Sequence, residues 1–231
     1  MVQSVNSKAI LTLASVARRP ALLVPHLSVP TVSQINYDAL KRCAGIEAVI
    51  FDKDNTLTAP YGSCVHPDAS DGLQRVLDVF GKERVAILSN SAGTVQDDPD
   101  FRDALQIEEA LGISVIRHKE KKPGGLEEVL QHFAMTDPAK LCMVGDRLLT
   151  DIVFGNIHGM LTVHTLPLCK GRDNARDNWT AKILRPAENK VLYGRLFGKA
   201  LRRRKPGHKY WSGEVDCPLL IRDERIHKRT G

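Results

Sequence analysis

Asp52 and Asp54 stand two residues apart in FDKDNTLTAP (51–60), directly after the apolar run IEAVI (46–50), with a hydroxyl close by at Thr56. A run rich in β-branched residues that ends abruptly in charge reads as a buried strand breaking into a loop. Both acids then sit at the strand's carboxyl end. In open α/β sheets that edge is where ligands bind, because the loops leave a crevice and helix N-termini aim N–H groups into it. Acids at a strand end are commonly no more than a solvated turn, so the pair needs partners before it signifies chemistry.

The partners recur at later strand ends. Ser89 and Asn90 close the run RVAILS (84–89), Lys122 precedes Pro123 after ISVIRH (113–118), and Asp146 follows KLCMVG (140–145), with Asp151 five residues on. In a parallel sheet these ends lie side by side and their polar groups converge on one cleft. A carboxylate nucleophile, a second acid, a hydroxyl, a lysine and a further carboxylate pair meet the needs of phosphoryl transfer through an aspartyl-phosphate, given Mg²⁺. Mg²⁺ prefers oxygen ligands and keeps several waters, which suits Asp52, Asp146 and a backbone carbonyl. Ser89 and Lys122 would hold the phosphate oxygens on which charge develops.

The elements that must position these groups follow from periodicity. Strands are expected over 46–51, 84–89, 113–118, 140–145 and 161–165. They alternate with helices over 69–81, 101–112, 125–134 and about 147–157, where Gly81 and Gly112 act as stops. Alternation of this kind predicts the α/β class: a Rossmann-like, mostly parallel sheet flanked by helices with right-handed crossovers. Asp54 and Leu88 are 34 positions apart and Ser89 and Lys122 are 33 apart, each interval filled by one helix and one strand. A large cap domain does not fit there, so the cleft is expected to be open to a bulky substrate.

FDKDNTLT, LSN, KKP and GDRLLTD, in this order and on these strand ends, resemble the four motifs of the haloacid-dehalogenase-type phosphatases over roughly residues 46–165. More narrowly, DKDNTLTAPY (52–61), LSNSAG (88–93), RHKEKKP (117–123) and VGDRLLTDI (144–152) are similar to the eukaryotic phosphatidylglycerophosphate phosphatases of mitochondria and plastids. The resemblance implies that Asp52 attacks phosphorus, that Asp54 protonates the leaving alkoxide and later activates water, and that Thr56 helps to fix the loop. It further implies phosphate binding by Ser89, Asn90 and Lys122, and a Mg²⁺ site drawn from Asp52, Asp54, Asp146 and Asp151. Lys53, between the two aspartates, receives no role. His118 is expected to be a packed or solvated histidine and not a catalytic one.

Charge divides the chain. The net charge of +6 is the sum of an acidic part, 1–169, and a basic part, 170–231, in which 17 Lys and Arg face 7 Asp and Glu. Residues 1–37 lack Asp and Glu and set Lys8, Thr12, Ser15 and Arg19 opposite Ile10, Leu13, Ala14 and Ala17 on a helical wheel. That is the composition of an organellar targeting helix or a membrane-surface helix. Pro20, Pro25 and Pro30 then predict an extended linker. The expected organisation is a basic N-terminal segment (1–37), a phosphatase core (38–169) and a basic extension (170–231). In the extension, Leu192, Tyr193, Leu196, Phe197, Ala200 and Leu201 precede the cluster Arg202, Arg203, Arg204 and Lys205. An apolar stripe followed by cations suits an anionic phospholipid surface.

The reading that results is a Mg²⁺-dependent phosphatase that converts phosphatidylglycerophosphate to phosphatidylglycerol. It would work peripherally on the matrix side of the mitochondrial inner membrane, or in a plastid, with no nucleic-acid partner expected and a homo-oligomer left open. The alternatives are a nucleic-acid 3′-phosphatase or another bulky-substrate phosphatase, because nucleic acid also attracts cationic clusters, and a catalytically idle membrane scaffold, against which the intact Asp52 and Asp54 argue. Five scattered cysteines without a CxxC pair indicate neither a zinc site nor a disulfide framework, and so a reducing compartment.

Overall fold

The computed structural model describes residues 15–169, 206–213 and 219–220. Its centre is a six-stranded, wholly parallel sheet built from β1 (Leu27–Val29), β2 (Ala48–Phe51), β3 (Val85–Ile87), β4 (Ser114–Val115), β5 (Leu141–Gly145) and β6 (Leu161–Thr165), in the spatial order β1-β6-β5-β2-β3-β4. From β2 the chain moves outward through β3 and β4, then returns to the other side of β2 to lay down β5 and β6. The crevice at the carboxyl end of β2 is therefore the point where the winding reverses, the place such sheets reserve for ligands.

Side-chain alternation divides each strand between two layers. Val49 and Phe51, Val85 and Ile87, and Cys142 and Val144 enter the larger core, which is covered by α1 (Tyr37–Cys43), α2 (Pro67–Phe80) and α3 (Arg102–Leu111). Ala48 and Ile50, Ala86 and Leu88, and Leu141 and Met143 face the opposite way. There they meet Val129 of α4 (Leu126–His132) and Phe154 of α5 (Val153–Ile157). Burial on both faces explains why these strands read as continuous apolar runs. The links from β2 to α2 and from β3 to α3 hold no inserted domain, so the cleft has no large cap. No helix of the described residues is long and apolar enough to cross a membrane.

The structure departs from the sequence expectation at four places. Residues 20–37, expected as a linker, belong to the fold. Pro20–Leu23 forms a 3-10 turn, β1 extends the sheet beside β6, Val32–Gln34 forms a second 3-10 turn and Tyr37 opens α1. β1 escapes periodicity because it is only three residues long between prolines, which an edge strand tolerates. The strand expected over 113–118 is a named strand only at Ser114–Val115; beyond it Ile116 N–H still donates to Ile87 O and His118 pairs with the loop after β3, donating to Gly93 O. The helix expected over 147–157 begins as a π-turn, Leu148–Ile152, before α5. Finally, Cys43 is disulfide-bonded, whereas Cys64, Cys142 and Cys169 are not in disulfides. Spacing could not indicate that, because a single bridge is set by proximity in space.

Two short pieces of the basic extension also pack on the core. Trp211 and Leu219 are buried in the larger cluster, Leu219 O accepts from Asn36 N–H at 2.8 Å, and Lys209 and Tyr210 both donate to Asp137 Oδ2 at 2.7 Å. The apolar stripe, the 202–205 cluster and the N-terminal helical wheel up to residue 14 lie outside the described residues.

The contact between the N-terminal segment and the core generates a prediction whose sign is decided by sterics. Glycine inside a helix costs roughly 0.5–1 kcal/mol relative to alanine, so Gly→Ala at such a site ordinarily stabilises. A Cβ on Gly72 would lie 2.6 Å from Val32 C and 2.7 Å from Ser33 N, which are backbone atoms that cannot swing aside. Gly72→Ala is therefore expected to destabilise by about 1–3 kcal/mol. A lowered urea midpoint at unchanged slope is the expected result, and a raised midpoint would contradict the packing.

Candidate active site

Asp52 leaves the end of β2 with its N–H donated to Val144 O at 2.8 Å, so the neighbouring strand β5 fixes where its side chain starts. The next residues wind into one tight turn in which Thr56, Leu57 and Thr58 all donate N–H to Lys53 O. Asn55 takes the left-handed conformation at φ 63°, which asparagine tolerates better than most residues. Its side-chain oxygen accepts from Cys169 N–H at 3.1 Å, joining the turn to the segment that follows β6. Thr56 is buried, and its hydroxyl has no hydrogen-bond partner among the described residues. It is the backbone of Thr56 that closes the turn.

Ligand oxygens of Asp52, Asp146 and Asp151 lie within 4.8 Å of one another. Asp146 follows β5, and Asp151 rises from the π-turn, where its Oδ2 accepts from Arg147 N–H at 3.0 Å. Lys122, only 1% exposed, reaches into this group from the loop after β4 and donates to Asp52 Oδ1 at 2.7 Å and Asp151 Oδ1 at 2.6 Å. Its own N–H is held by Asn90 Oδ1 at 2.8 Å, so the residue after Ser89 positions the lysine. Burial, reinforced by the charge of Asp151, pushes the Asp52 carboxyl above its usual range against the pull of Lys122. Burial alone would lower the Lys122 ammonium, but its two carboxylate partners outweigh that and hold it above the ordinary lysine value.

The donor set fits a small hard cation. Three carboxylates and one ammonium, all ionised, leave a charge of −2 on a buried cluster of oxygen ligands. A divalent ion such as Mg²⁺ neutralises that charge and prefers such ligands. Of the four aspartates anticipated for the metal, three provide the carboxylate group and Asp54 does not. The Asp54 carboxylate has a separate set of partners. Its Oδ1 accepts from Lys53 Nζ at 2.5 Å and Tyr61 N–H at 2.8 Å, and its Oδ2 accepts from the Ser91 hydroxyl at 3.2 Å. Ser89 is buried, with its hydroxyl 3.0 Å from that of Ser91. The two halves of the site thus meet through Ser89, Ser91 and Asn90 at the end of β3. His118 is packed as expected, its Nδ1 against Ile116 O at 2.9 Å, with burial holding its pKa down.

Sequence reasoning gave Lys53 no role and passed over Ser91 and Gly145. The first carries a weak signal, a lysine flanked by two acids; the second lies two residues past Ser89 in LSNSAG. For Gly145 the signal is the glycine immediately before Asp146. A Cβ there would lie 2.3 Å from Asp151 Oδ2 and 2.4 Å from its Cγ, so only hydrogen at that position admits the Asp151 carboxylate.

A family model described as mitochondrial PGP phosphatase matches residues 7–168. The chain is 49% identical over 149 residues to phosphatidylglycerophosphate phosphatase 1, chloroplastic, of Chlamydomonas reinhardtii, covering 64% of this chain and 54% of that protein. It is 44% identical over 173 residues to a chloroplastic/mitochondrial protein with the same enzyme name from Arabidopsis thaliana, covering 74% of this chain and 49% of the relative. A mitochondrial phosphatidylglycerophosphatase of Saccharomyces cerevisiae is 35% identical over 147 residues, which is 61% of this chain and 76% of the yeast protein. The chain thus spans about half the length of the algal and plant relatives.

The close approach at Gly145 leads to a test. Gly145→Ala should displace Asp151 and weaken Mg²⁺ binding by about 10- to 100-fold, the loss typical when a group supporting a metal site is disturbed. Titration calorimetry with Mg²⁺, alongside a thermal melt to establish folding, checks it. Unchanged affinity in a folded variant would show that Asp151 does not depend on this glycine.

Proposed function

Because this chain belongs to the mitochondrial PGP phosphatase family, we propose that it is a phosphoric monoester hydrolase that releases phosphate from phosphatidylglycerophosphate and leaves phosphatidylglycerol. The observation that carries this reading is the buried group of Asp52, Asp146 and Asp151 with Lys122 at the sheet's reversal point, beside a second acid, Asp54, held in its own network. That division separates a nucleophile from a proton carrier.

In the first half of the reaction an Asp52 oxygen attacks phosphorus, the bond from phosphorus to the glycerol oxygen breaks, and the proton on Asp54 passes to that oxygen. In the second half a water oxygen attacks phosphorus, its proton passes to Asp54, and the bond between Asp52 and phosphorus breaks to restore the carboxylate. Lys122 neutralises charge on the phosphoryl oxygens, and the Ser89 hydroxyl supplies a donor near them. Asp52, Asp146 and Asp151 would hold Mg²⁺, which when bound draws electron density from the phosphoryl group.

A lipid at a bilayer is the substrate class best suited to the uncapped cleft. On the loops that leave the same sheet edge, Tyr61 is 54% exposed and Val95 50% exposed, so the rim presents apolar surface beside the acids. Tyrosine in particular favours the membrane interface, where its ring is buried and its hydroxyl stays wet. The relatives are named as mitochondrial or chloroplastic proteins, which supports an organellar site of action; we place it in the mitochondrion, peripheral on the matrix side of the inner membrane, with a plastid as the alternative.

Phosphate release from phosphatidylglycerophosphate in mixed micelles is the direct test. Wild type should turn over with Mg²⁺ and stop in excess EDTA, and Asp52→Asn, nearly isosteric but a poor nucleophile, should be inactive while folded. No turnover by the wild type, or turnover retained by Asp52→Asn, would sink the proposal.

Surface docking predicts a separate outcome. Replacing Arg202, Arg203, Arg204 and Lys205 with Gln should slow hydrolysis of vesicle-embedded phosphatidylglycerophosphate and leave that of a small soluble phosphate nearly unchanged. The difference should be larger at low salt, because the Debye length is about 30 Å at 0.01 M and about 8 Å at 0.15 M. Equal losses on both substrates would instead tie the cluster to the active site.

A further inference from the structure

Lys53 lies between the two aspartates, yet its ammonium makes its hydrogen bonds to Asp54 and the loop that follows and not to Asp52. It is 3% exposed, and its ammonium donates to Asp54 Oδ1 at 2.5 Å, Gly62 O at 3.1 Å and Thr58 Oγ1 at 3.4 Å. An ammonium has three donor hydrogens, and all three point into the one loop that runs from 54 to 62. Burying such a charge is costly unless it is paired and hydrogen-bonded. Here the pairing is with the proton carrier itself.

The consequences fall on the two oxygens of Asp54 unequally. Oδ1 receives Lys53 Nζ and Tyr61 N–H, which fills both of its lone-pair directions. Among the described residues Oδ2 receives only the Ser91 hydroxyl, at 3.2 Å, which leaves it one direction. Asp54 is also the less buried of the linked pair, with its side chain 20% exposed against 4% for Lys53. The open direction is therefore the one through which a substrate oxygen or a water can be met. Tyr61 stands in the left-handed region at φ 54°, a conformation that bulky residues rarely adopt, and Lys53 secures the following carbonyl, Gly62 O. The lysine thus fastens both the carboxylate and the segment whose N–H binds it.

We propose that Lys53 is the positioning residue of the acid–base step: it locks Asp54 Oδ1 to the 58–62 loop so that Oδ2 alone gives and takes the proton. Lys53 touches no substrate atom and acts through Asp54. The inference rests on the assignment of Asp54 as proton carrier made above. Oδ2 delivers its proton to the leaving oxygen as the phosphorus–oxygen bond breaks, and it receives the proton of the attacking water as the aspartyl-phosphate bond breaks.

Leaving-group dependence tests the proposal, because nitrophenolate departs without a proton whereas an alkoxide needs one. The Mg²⁺-loaded full chain is assayed as wild type, Lys53→Met and Asp54→Asn, on p-nitrophenyl phosphate and on phosphatidylglycerophosphate in mixed micelles. Misplacing the proton carrier should cost Lys53→Met about 10- to 100-fold in kcat/KM on the lipid and no more than about threefold on the aryl ester. With the aryl ester, acid-quenched phosphoenzyme should accumulate in Lys53→Met, since water activation also passes through Oδ2. The ratio of the two substrates is measured on one preparation, so a partly unfolded variant does not disturb it. If Asp54→Asn discriminates between the substrates and Lys53→Met loses both equally, the positioning role is overturned and the acid–base assignment stands. If Asp54→Asn fails to discriminate, the assignment of Asp54 falls and the role of Lys53 falls with it.

Discussion

Three carboxylates brought within 4.8 Å of one another in a buried place repel, and like charges so close cannot all ionise without a cation. Lys122 supplies the fixed part of that compensation, and much of the molecule is arranged to deliver it. The lysine comes from the loop after β4, two strands away from β2, and is steadied by Asn90 at the end of β3. Its ammonium then bridges Asp52 after β2 and Asp151 beyond β5. One side chain so ties together the ends of the strands that the parallel winding places side by side. A pair of this kind is weak evidence for stability, since desolvation offsets most of the attraction. Its value lies in holding the reacting groups in one arrangement.

The same winding explains why the N-terminal segment matters to the site. Val16, Leu23 and Val24 pack against Leu148, Ile152 and Val153, on the stretch that also carries Asp151. Asn156 Nδ2 donates to Leu22 O at 2.8 Å and Val24 O at 2.9 Å, and β1 covers the open edge of β6. The π-turn is thus braced from outside while Gly145 makes room for Asp151 from inside. Residues 15–37, for all their targeting-like composition, pack as part of the folded core.

Two acids two residues apart have different surroundings. Asp52 shares its oxygens with Lys122 and sits among acids, which suits an atom that bonds to phosphorus. Asp54 has partners of its own in Lys53, Tyr61 and Ser91. The turn closed on Lys53 O fixes the backbone from which both side chains leave.

The sheet class, five of its six strands with the helices between them, the uncapped cleft and the convergence of Asp52, Asp146, Asp151 and Lys122 were legible in the chain. Long apolar runs ending in polar residues are a local pattern, and a parallel sheet turns their order into adjacency. What the sequence could not show was anything set by contact between distant segments. β1 is a strand because β6 offers an edge to a three-residue stretch, and the helix with Asp151 opens as a π-turn braced by residues 16–24. Asp54 parts from Asp52 because Lys53, Tyr61 and Ser91 reach it from elsewhere in the loops. Residue type and spacing determined which chemistry was available; the direction in which each carboxylate oxygen points was decided by hydrogen bonds that form only when the chain has closed on itself.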